Sequence, residues 1–400
     1  MQEFDFATLG LLLFVASLVA MVTRRLKLPY SVGLVFAGIG LALLPSGYAP
    51  VLTRDLVFTI FLPPLIFEAA VQIPWTPFRR ELPLLLALVT LGVAFAAAVV
   101  AAGMHFLVGW GWLASSFLGI MLAATDPVAV IALFRSIHVE RRLHLLVEAE
   151  SLLNDGVAAV GFVVLLAIAG GGSSSAGAIG ATLLLTAAGG IACGALVTGG
   201  LLAIAGRTDD TLVEVTLTTL AAFGSFLLAE HFGGSGVLAA LTAGLMVGNV
   251  GWVGSISDDG RPFVLAFWDY AAFLANSLIF ILIGSSIASI PLLPVFAAAA
   301  IATLLALIGR AAAVYPISAL FRRTSLRVSA RYQHVLWWGG LRGALALALA
   351  LALPATLPER GEVVAVTFAV VAFSIIVQGM TMAGLIRRLD LVREEEEAAE

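Results

Sequence analysis

The chain carries little charge for its length: 12% of its 400 residues are Asp, Glu, Lys or Arg, against 61% that are hydrophobic. A soluble domain covers its surface with about twice that charged fraction, and a mean hydropathy of +1.08 excludes one large soluble domain. Lysine is nearly absent, Lys27 being the single example, and a net charge of −4 offers no basic surface to nucleic acid. There is one cysteine, Cys193, in an apolar run, so no intramolecular disulfide, CxxC motif or zinc cluster forms. The sequence also lacks a GxxxxGK[ST] phosphate loop, a nucleophile–base pair and a metal-ligand set, which excludes an enzyme reading and a cofactor. The first apolar run is flanked by Glu3 and Asp5, where a cleavable secretory signal carries positive charge.

What is present is one apolar run after another, each near the ~20 residues that cross a bilayer. Spans are expected at roughly 6–23, 30–47, 55–73, 82–106, 112–134, 144–169, 178–205, 212–231, 236–250, 263–288, 292–320, 331–353 and 362–386. The connections carry turn residues: Leu28-Pro29, Pro45-Ser46-Gly47, the Gly/Ser run 170–177, Gly233-Gly234-Ser235-Gly236 and Leu357-Pro358-Glu359. Numbering the loops alternately places seventeen Lys and Arg on one side and two, Arg54 and Arg360, on the other. Arg310 and Arg342 fall inside spans. The positive-inside rule then sets the N-terminus outside and the C-terminus in the cytoplasm. The fold class expected is an all-α polytopic membrane protein of thirteen spans, in a multi-pass plasma-type membrane, with lipid around it.

Two spans are poor helices in their middles. Thr125-Asp126-Pro127 interrupts the fifth, because proline lacks the N–H and clashes with the preceding turn. Gly339-Gly340-Leu341-Arg342-Gly343 interrupts the twelfth. Taken singly, each fits an ordinary membrane-helix kink. With 178–205 as a linker helix, residues 1–170 and 212–386 form two six-helix repeats of opposite topology, followed by a short acidic cytoplasmic tail, 387–400. The breaks then fall at matching positions of inverted repeats, each with a charge beside it, which is the mark of a secondary transporter.

An ionisable group at the bilayer centre costs at least ~2.5–3.5 kcal/mol and so faces an interior or a watery cavity. Glu68, Asp126, Glu150, Asp155, Arg310 and Arg342 are so placed. The densest cluster is Glu150-Ser151-Leu152-Leu153-Asn154-Asp155-Gly156. On a helix Ser151 and Asp155 share one face, offering a hydroxyl and a carboxylate to a hard cation; Glu150 and Asn154 share the neighbouring face. Asp126 is placed to approach Asp155, and unwound backbone near Thr125 adds carbonyls. A carboxylate in this setting takes a proton or a cation but not both, and that competition is exchange. Arg310 is a salt-bridge candidate for Glu150, and Arg342 for the C-terminal dipole of a half-helix. Glu68, beside Pro63-Pro64 and Phe67, is read equally as part of a packed bend. Asp269, in Phe267-Trp268-Asp269-Tyr270, is read as interfacial, Glu230 and His231 as loop-facing, and His105, His138, His144 and His334 as scattered near interfaces.

The segments 124–130 (Ala-Thr-Asp-Pro-Val-Ala-Val) and 150–156 resemble the monovalent cation/proton antiporters, and the Asn154-Asp155 pair resembles their NhaP and eukaryotic sodium/proton exchanger branch. Segments 61–68, Gly309-Arg310-Ala311 with Tyr315, and 339–344 match as well. The resemblance spans the whole membrane domain. It implies an NhaA/NhaP-like fold with a dimer domain and a moving ion-binding domain, a homodimer, and elevator-like alternation. It also implies electroneutral exchange of Na⁺ (or Li⁺) for H⁺, with monovalent cation and proton as the small partners. Asp155 is then the carrier, joined by Asp126, Ser151 and Thr125, with Glu68 near the ion path and Glu150–Arg310 as a structural pair. Asp269 stands where the family often has glutamate, and the short tail implies that the long regulatory domains of some relatives are absent. Potassium/proton exchange shares these motifs, since selectivity rests on cavity size and ligand geometry. A cation channel would want a carbonyl-lined filter, and an anion or organic-solute symporter would want cationic or aromatic groups at the breaks.

Overall fold

The computed structural model describes residues 6–26, 28–44, 52–137, 139–172, 175–206, 209–251, 254–291 and 293–392. Lys27, the turn Pro45-Ser46-Gly47, His138, Ser173, Ser174, Arg207 and the acidic tail from Arg393 onward lie outside the described residues.

The first half runs through α1 (Phe6–Leu26), α2 (Tyr30–Ala42), α3 (Leu62–Gln72), α4 (Trp75–Ala87), α5 (Val93–Gly103), α6 (Trp112–Ala123), α7 (Val128–Ile137) and α8 (Arg141–Ala169). It is followed by α9 (Ala176–Ala205), α10 (Thr211–His231), α11 (Gly236–Asn249), α12 (Gly260–Ser289) and α13 (Phe296–Leu320). The chain ends through α14 (Ala330–Trp338), α15 (Ala344–Leu351), α16 (Arg360–Phe373) and α17 (Gly379–Arg388). Single π-helical turns extend some of these: Leu56–Phe61 leads into α3, Leu88–Gly92 joins α4 to α5, Met104–Val108 ends α5, and Ser374–Gln378 joins α16 to α17. Among the described residues the extended pairing found is one isolated antiparallel bridge, Val139 to Val392.

Nine helical stretches among the described residues are long and apolar enough to cross a bilayer, and three shorter apolar ones, Tyr30–Ala42, Leu56–Gln72 and Gly236–Asn249, accompany them. With α14 and α15 as halves of one interrupted span, this layout is compatible with thirteen. The fourth span starts at Trp75 rather than near 82, because Arg79, Arg80 and Glu81 hide a helical lead-in from any hydropathy window. Turn chemistry sets the other ends. Gly233 takes a positive φ of 75°, and Ser235 caps α11 by accepting from Leu238 N at 3.3 Å. Asp210 caps α10 through Leu212 N at 2.9 Å.

The helices fall into two compact units, one of residues 1–54, 84–151 and 277–400, the other of 55–83 and 152–276, so that α4, α8 and α12 contribute to both. In the first unit small residues let backbones meet, as in other membrane bundles. A Cβ on Gly38 of α2 would overlap the Ile281 carbonyl, and one on Gly284 of α12 would overlap that of Val35. Gly119 brings α6 onto Ala97 of α5, and Gly309 brings α13 onto Ala96. Those two contacts set the helices that carry the site.

In the second unit Phe67, Val71, Leu202, Ala222, Val247 and Trp268 form a buried core, with Phe67 and Trp268 ring centroids 4.4 Å apart. The Trp268 indole donates to Thr218 Oγ1 at 3.0 Å, which lets a large amphipathic ring be buried whole. Gly248 of α11 lies against the backbone of Val71, where a Cβ would overlap the carbonyl oxygen. Gly248→Ala is expected to cost about 1–3 kcal/mol of overpacking, read as a lower unfolding temperature in detergent. Gly180→Ala, with nothing within 4 Å, should leave that temperature unchanged.

Candidate functional site

Both expected interruptions are present in the first unit. Helix α6 stops at Ala123, Ala124 is extended (φ −60°, ψ 138°), and α7 resumes only after Pro127. Proline drives the residue before it, Asp126, out of the helical region. The second break spans 339–343, between α14 and α15, with Gly343 at φ −142°, ψ −145°. The breaks are bonded to each other: the Asp126 N–H donates to the Leu341 carbonyl at 2.7 Å.

The Asp126 side chain then serves both downstream half-helices. Oδ1 accepts from Val128 N at 2.9 Å, and the carboxylate accepts from Ala344 N as well. Val128 and Ala344 are the first residues of α7 and α15. One carboxylate therefore faces two helix N-termini, whose unsatisfied N–H groups and positive dipole ends favour an anion. Any Cβ on Gly343 would overlap this carboxylate, which explains why a glycine stands there. A carboxylate has about four lone-pair directions, so two caps leave Asp126 acceptor capacity for a cation.

The C-terminal end of α14 is closed by cations and amides instead. Arg310 of α13 donates from Nε and Nη2 to the Leu336 carbonyl at 3.1 and 3.0 Å. The same guanidinium makes a bidentate pair with Glu150, both contacts at 2.7 Å, with Glu150 1% and Arg310 7% exposed. Gly340 is required beside it, since a Cβ there would lie 2.8 Å from Arg310 Nε. The role anticipated for Arg342, meeting a half-helix C-terminus, is thus filled by Arg310. Arg342 is itself buried, its N–H donates to Ser374 Oγ at 2.8 Å, and its Nη1 has no hydrogen-bond partner among the described residues.

Helix α8 supplies the remaining groups. Ser151 Oγ meets Thr125 Oγ1 at 3.1 Å, both side chains buried, so the first break and α8 present their hydroxyls side by side. One turn on, Asn154 is buried and Asp155 half-buried, Asp155 sharing the Ser151 face. Glu68, on α3 in the second unit, accepts from Gln72, whose amide also donates to Asp269 at 3.0 Å. Asp269 thus belongs to a polar link on the wall of a cavity of about 500 Å³ lined also by Asn249 and Arg261.

Four polar residues were not singled out from sequence. Glu148 is buried on α8, 3.6 Å from His144. Glu214 is fully buried at the start of α10, accepting from Ser257 N at 2.8 Å. Ser374 and Gln378 lie buried in the π turn before α17. The i,i+4 spacing of Ser374 and Gln378 is the signal the sequence offers for that pair; Glu214, in the first turn of α10, carries none beyond its position.

A helical membrane protein whose two interrupted helices are bonded break to break around buried charges has the architecture of a secondary transporter. The chain belongs to the transmembrane sodium/hydrogen exchanger family, whose model matches residues 10–388. It is 37% identical over 369 residues to the Na⁺/H⁺ antiporter ApNhaP of Aphanothece halophytica, covering 92% of this chain and 70% of that one. It is 33% identical over 400 residues to the Na⁺/H⁺ antiporter NhaH of Halobacillus aidingensis, covering 96% and 98%. Its fold is that of the solved structure of the sodium proton antiporter MjNhaP1 from Methanocaldococcus jannaschii at pH 8, with a TM-score of 0.76, 22% identity, and 96% and 98% of the two chains covered.

Proposed function

We propose that the chain is a secondary active antiporter that exchanges Na⁺ (or Li⁺) for H⁺, with Asp155 as the group for which cation and proton compete. The observation that carries this assignment is the meeting of the Thr125 and Ser151 hydroxyls at 3.1 Å, one helical turn from Asp155 and next to the Asp126 break. Hydroxyl, carboxylate and unwound carbonyl oxygens are the hard donors that a dehydrated monovalent cation requires. Asp155, Asp126, Ser151 and Thr125 form the ion set; Glu68 lines the approach; Asn154, Glu150, Arg310 and Arg342 hold the surroundings.

The Asn154-Asp155 pair resembles the NhaP branch, and on that resemblance one cation leaves for each proton bound and exchange is electroneutral. Carrier and ions cross by an elevator-like movement of an ion-binding domain against a dimer domain in a homodimer surrounded by lipid. Residues 1–170 and 212–386 are the two inverted repeats, 178–205 is the linker, the N-terminus is outside and the tail is cytoplasmic.

The test is proton flux in proteoliposomes with an acid interior, after adding sodium, lithium, potassium or choline outside. Alkalinisation by sodium and lithium, unchanged when the voltage is clamped to zero, is the expected result. Response to potassium alone would keep the chemistry and change the cargo. Flux with choline as large as with sodium would point to a channel and sink the proposal.

A further inference from the structure

The carbonyl end of α14 is an exposed liability in any interrupted membrane helix. Its last carbonyls have no intrahelical partner, and unpaired polar groups at this depth cost several kcal/mol. Here three of them are taken by protein donors. The Val335 carbonyl accepts from Gly339 N at 2.7 Å, that of Leu336 from Arg310, and that of Trp338 from Gln378 Nε2 at 2.9 Å. In the break itself Leu341 O accepts from Asp126 N.

Gln378 does not act alone. Its Oε1 accepts from Ser374 Oγ at 2.7 Å, and Ser374 Oγ in turn accepts from Arg342 N at 2.8 Å. The chain of bonds thus runs from the Arg342 N–H through a hydroxyl and an amide to the Trp338 carbonyl, spanning the second break from one side to the other. Each donor and acceptor has one possible direction, which fixes the serine proton and the amide orientation. Both side chains are buried and belong to one π-helical turn, whose wider backbone brings residues 374 and 378 to the break together. Such bulges recur at functional sites.

We propose that Ser374 and Gln378 are positioning residues for cation binding: they hold the second break shut on its carbonyl side and thereby set the Leu341 carbonyl that fixes Asp126. With the Leu336, Trp338 and Leu341 carbonyls engaged by protein donors, the role assigned to this side of the second break is geometry, and the cation is assigned to the first break and α8. This inference rests on the antiport assignment.

The experiment compares Ser374→Ala, Ser374→Thr and Gln378→Met with the unchanged protein, in proteoliposome flux and in sodium-dependent thermal stabilisation in detergent. Loss of one buried hydrogen bond loosens Asp126, so the apparent KM for sodium rises about tenfold in the Ala and Met variants. Vmax stays within about threefold, and the sodium concentration giving half of the thermal stabilisation rises in parallel. Ser374→Thr keeps the hydroxyl and stays within about threefold of the unchanged protein in both. An unchanged KM in Ser374→Ala and Gln378→Met, a fall in Vmax alone, or an equal rise in Ser374→Thr overturns the proposal. Failure of both Ala and Met variants to fold also overturns it, by assigning the clamp to folding. Absence of sodium-dependent flux in the unchanged protein instead removes the antiport assignment, and the thermal midpoint then decides the positioning role separately.

Discussion

Asp155→Asn should abolish sodium-dependent proton flux, by at least about 100-fold, while leaving a folded protein. Asparagine matches aspartate in volume, so the half-buried position on α8 is filled without a cavity or a clash. What changes is charge: the amide neither takes up a proton near neutral pH nor offers a cation a formal negative charge. Both cargoes lose their site at once, so the loss appears in either direction of exchange and with sodium and lithium alike. A 100-fold loss corresponds to roughly 2.8 kcal/mol at about 1.4 kcal/mol per decade. That is the size of one hydrogen bond to a charged group, about 1.5–3 kcal/mol. The measurement is dye-reported flux in proteoliposomes, with unfolding temperature and elution profile checked in parallel. Full flux in the variant would move the carrier role to another carboxylate, with Asp126 next in line.

Asp126 is the less simple test, because the structure gives it a second occupation. Its carboxylate accepts from the first N–H groups of α7 and α15, and its own N–H holds Leu341. Removing it uncaps two half-helices as well as removing a cation ligand, so a dead Asp126 variant does not separate the two roles. Asp155 lies within the continuous helix α8, away from both breaks in its own chain segment. For that reason the carrier assignment is best decided there.

The two breaks were legible in the sequence because their causes are covalent. Pro127 lacks an N–H, and three glycines lie within 339–343. The Glu150–Arg310 pairing was also within reach, since two opposite charges deep in apolar spans have few other solutions. Other features were hidden for physical reasons. Which guanidinium meets the Leu336 carbonyl depends on how closely α13 approaches the second break, and that rests on the close packing of Arg310 against Gly340 rather than on any local pattern. Asp126 as a double cap needed the crossing of two segments more than two hundred residues apart. Ser374 and Gln378 bear no charge, so in a span expected at 362–386 only their spacing singles them out, and the π turn that aims both at the break leaves no mark in hydropathy.

The buried Glu150–Arg310 pair should show the largest stability effects. Glu150→Met leaves Arg310 charged and buried, and Arg310→Met leaves Glu150 so. Each is expected to cost about 3–5 kcal/mol, seen as loss of a monodisperse peak and a much lower unfolding temperature. The double variant, with two methionines facing each other, removes both desolvation penalties together and should recover most of that stability. Function should not recover with it. Arg310 also holds the Leu336 carbonyl, and no methionine donates to it, so the end of α14 is released and with it the break that fixes Asp126. A folded double variant with sodium-dependent flux reduced at least about tenfold is the expected outcome. Near-normal flux would mean that the pair serves stability alone. A double variant as unstable as either single change would show that the Leu336 contact, rather than the ion pair, holds this part of the bundle together.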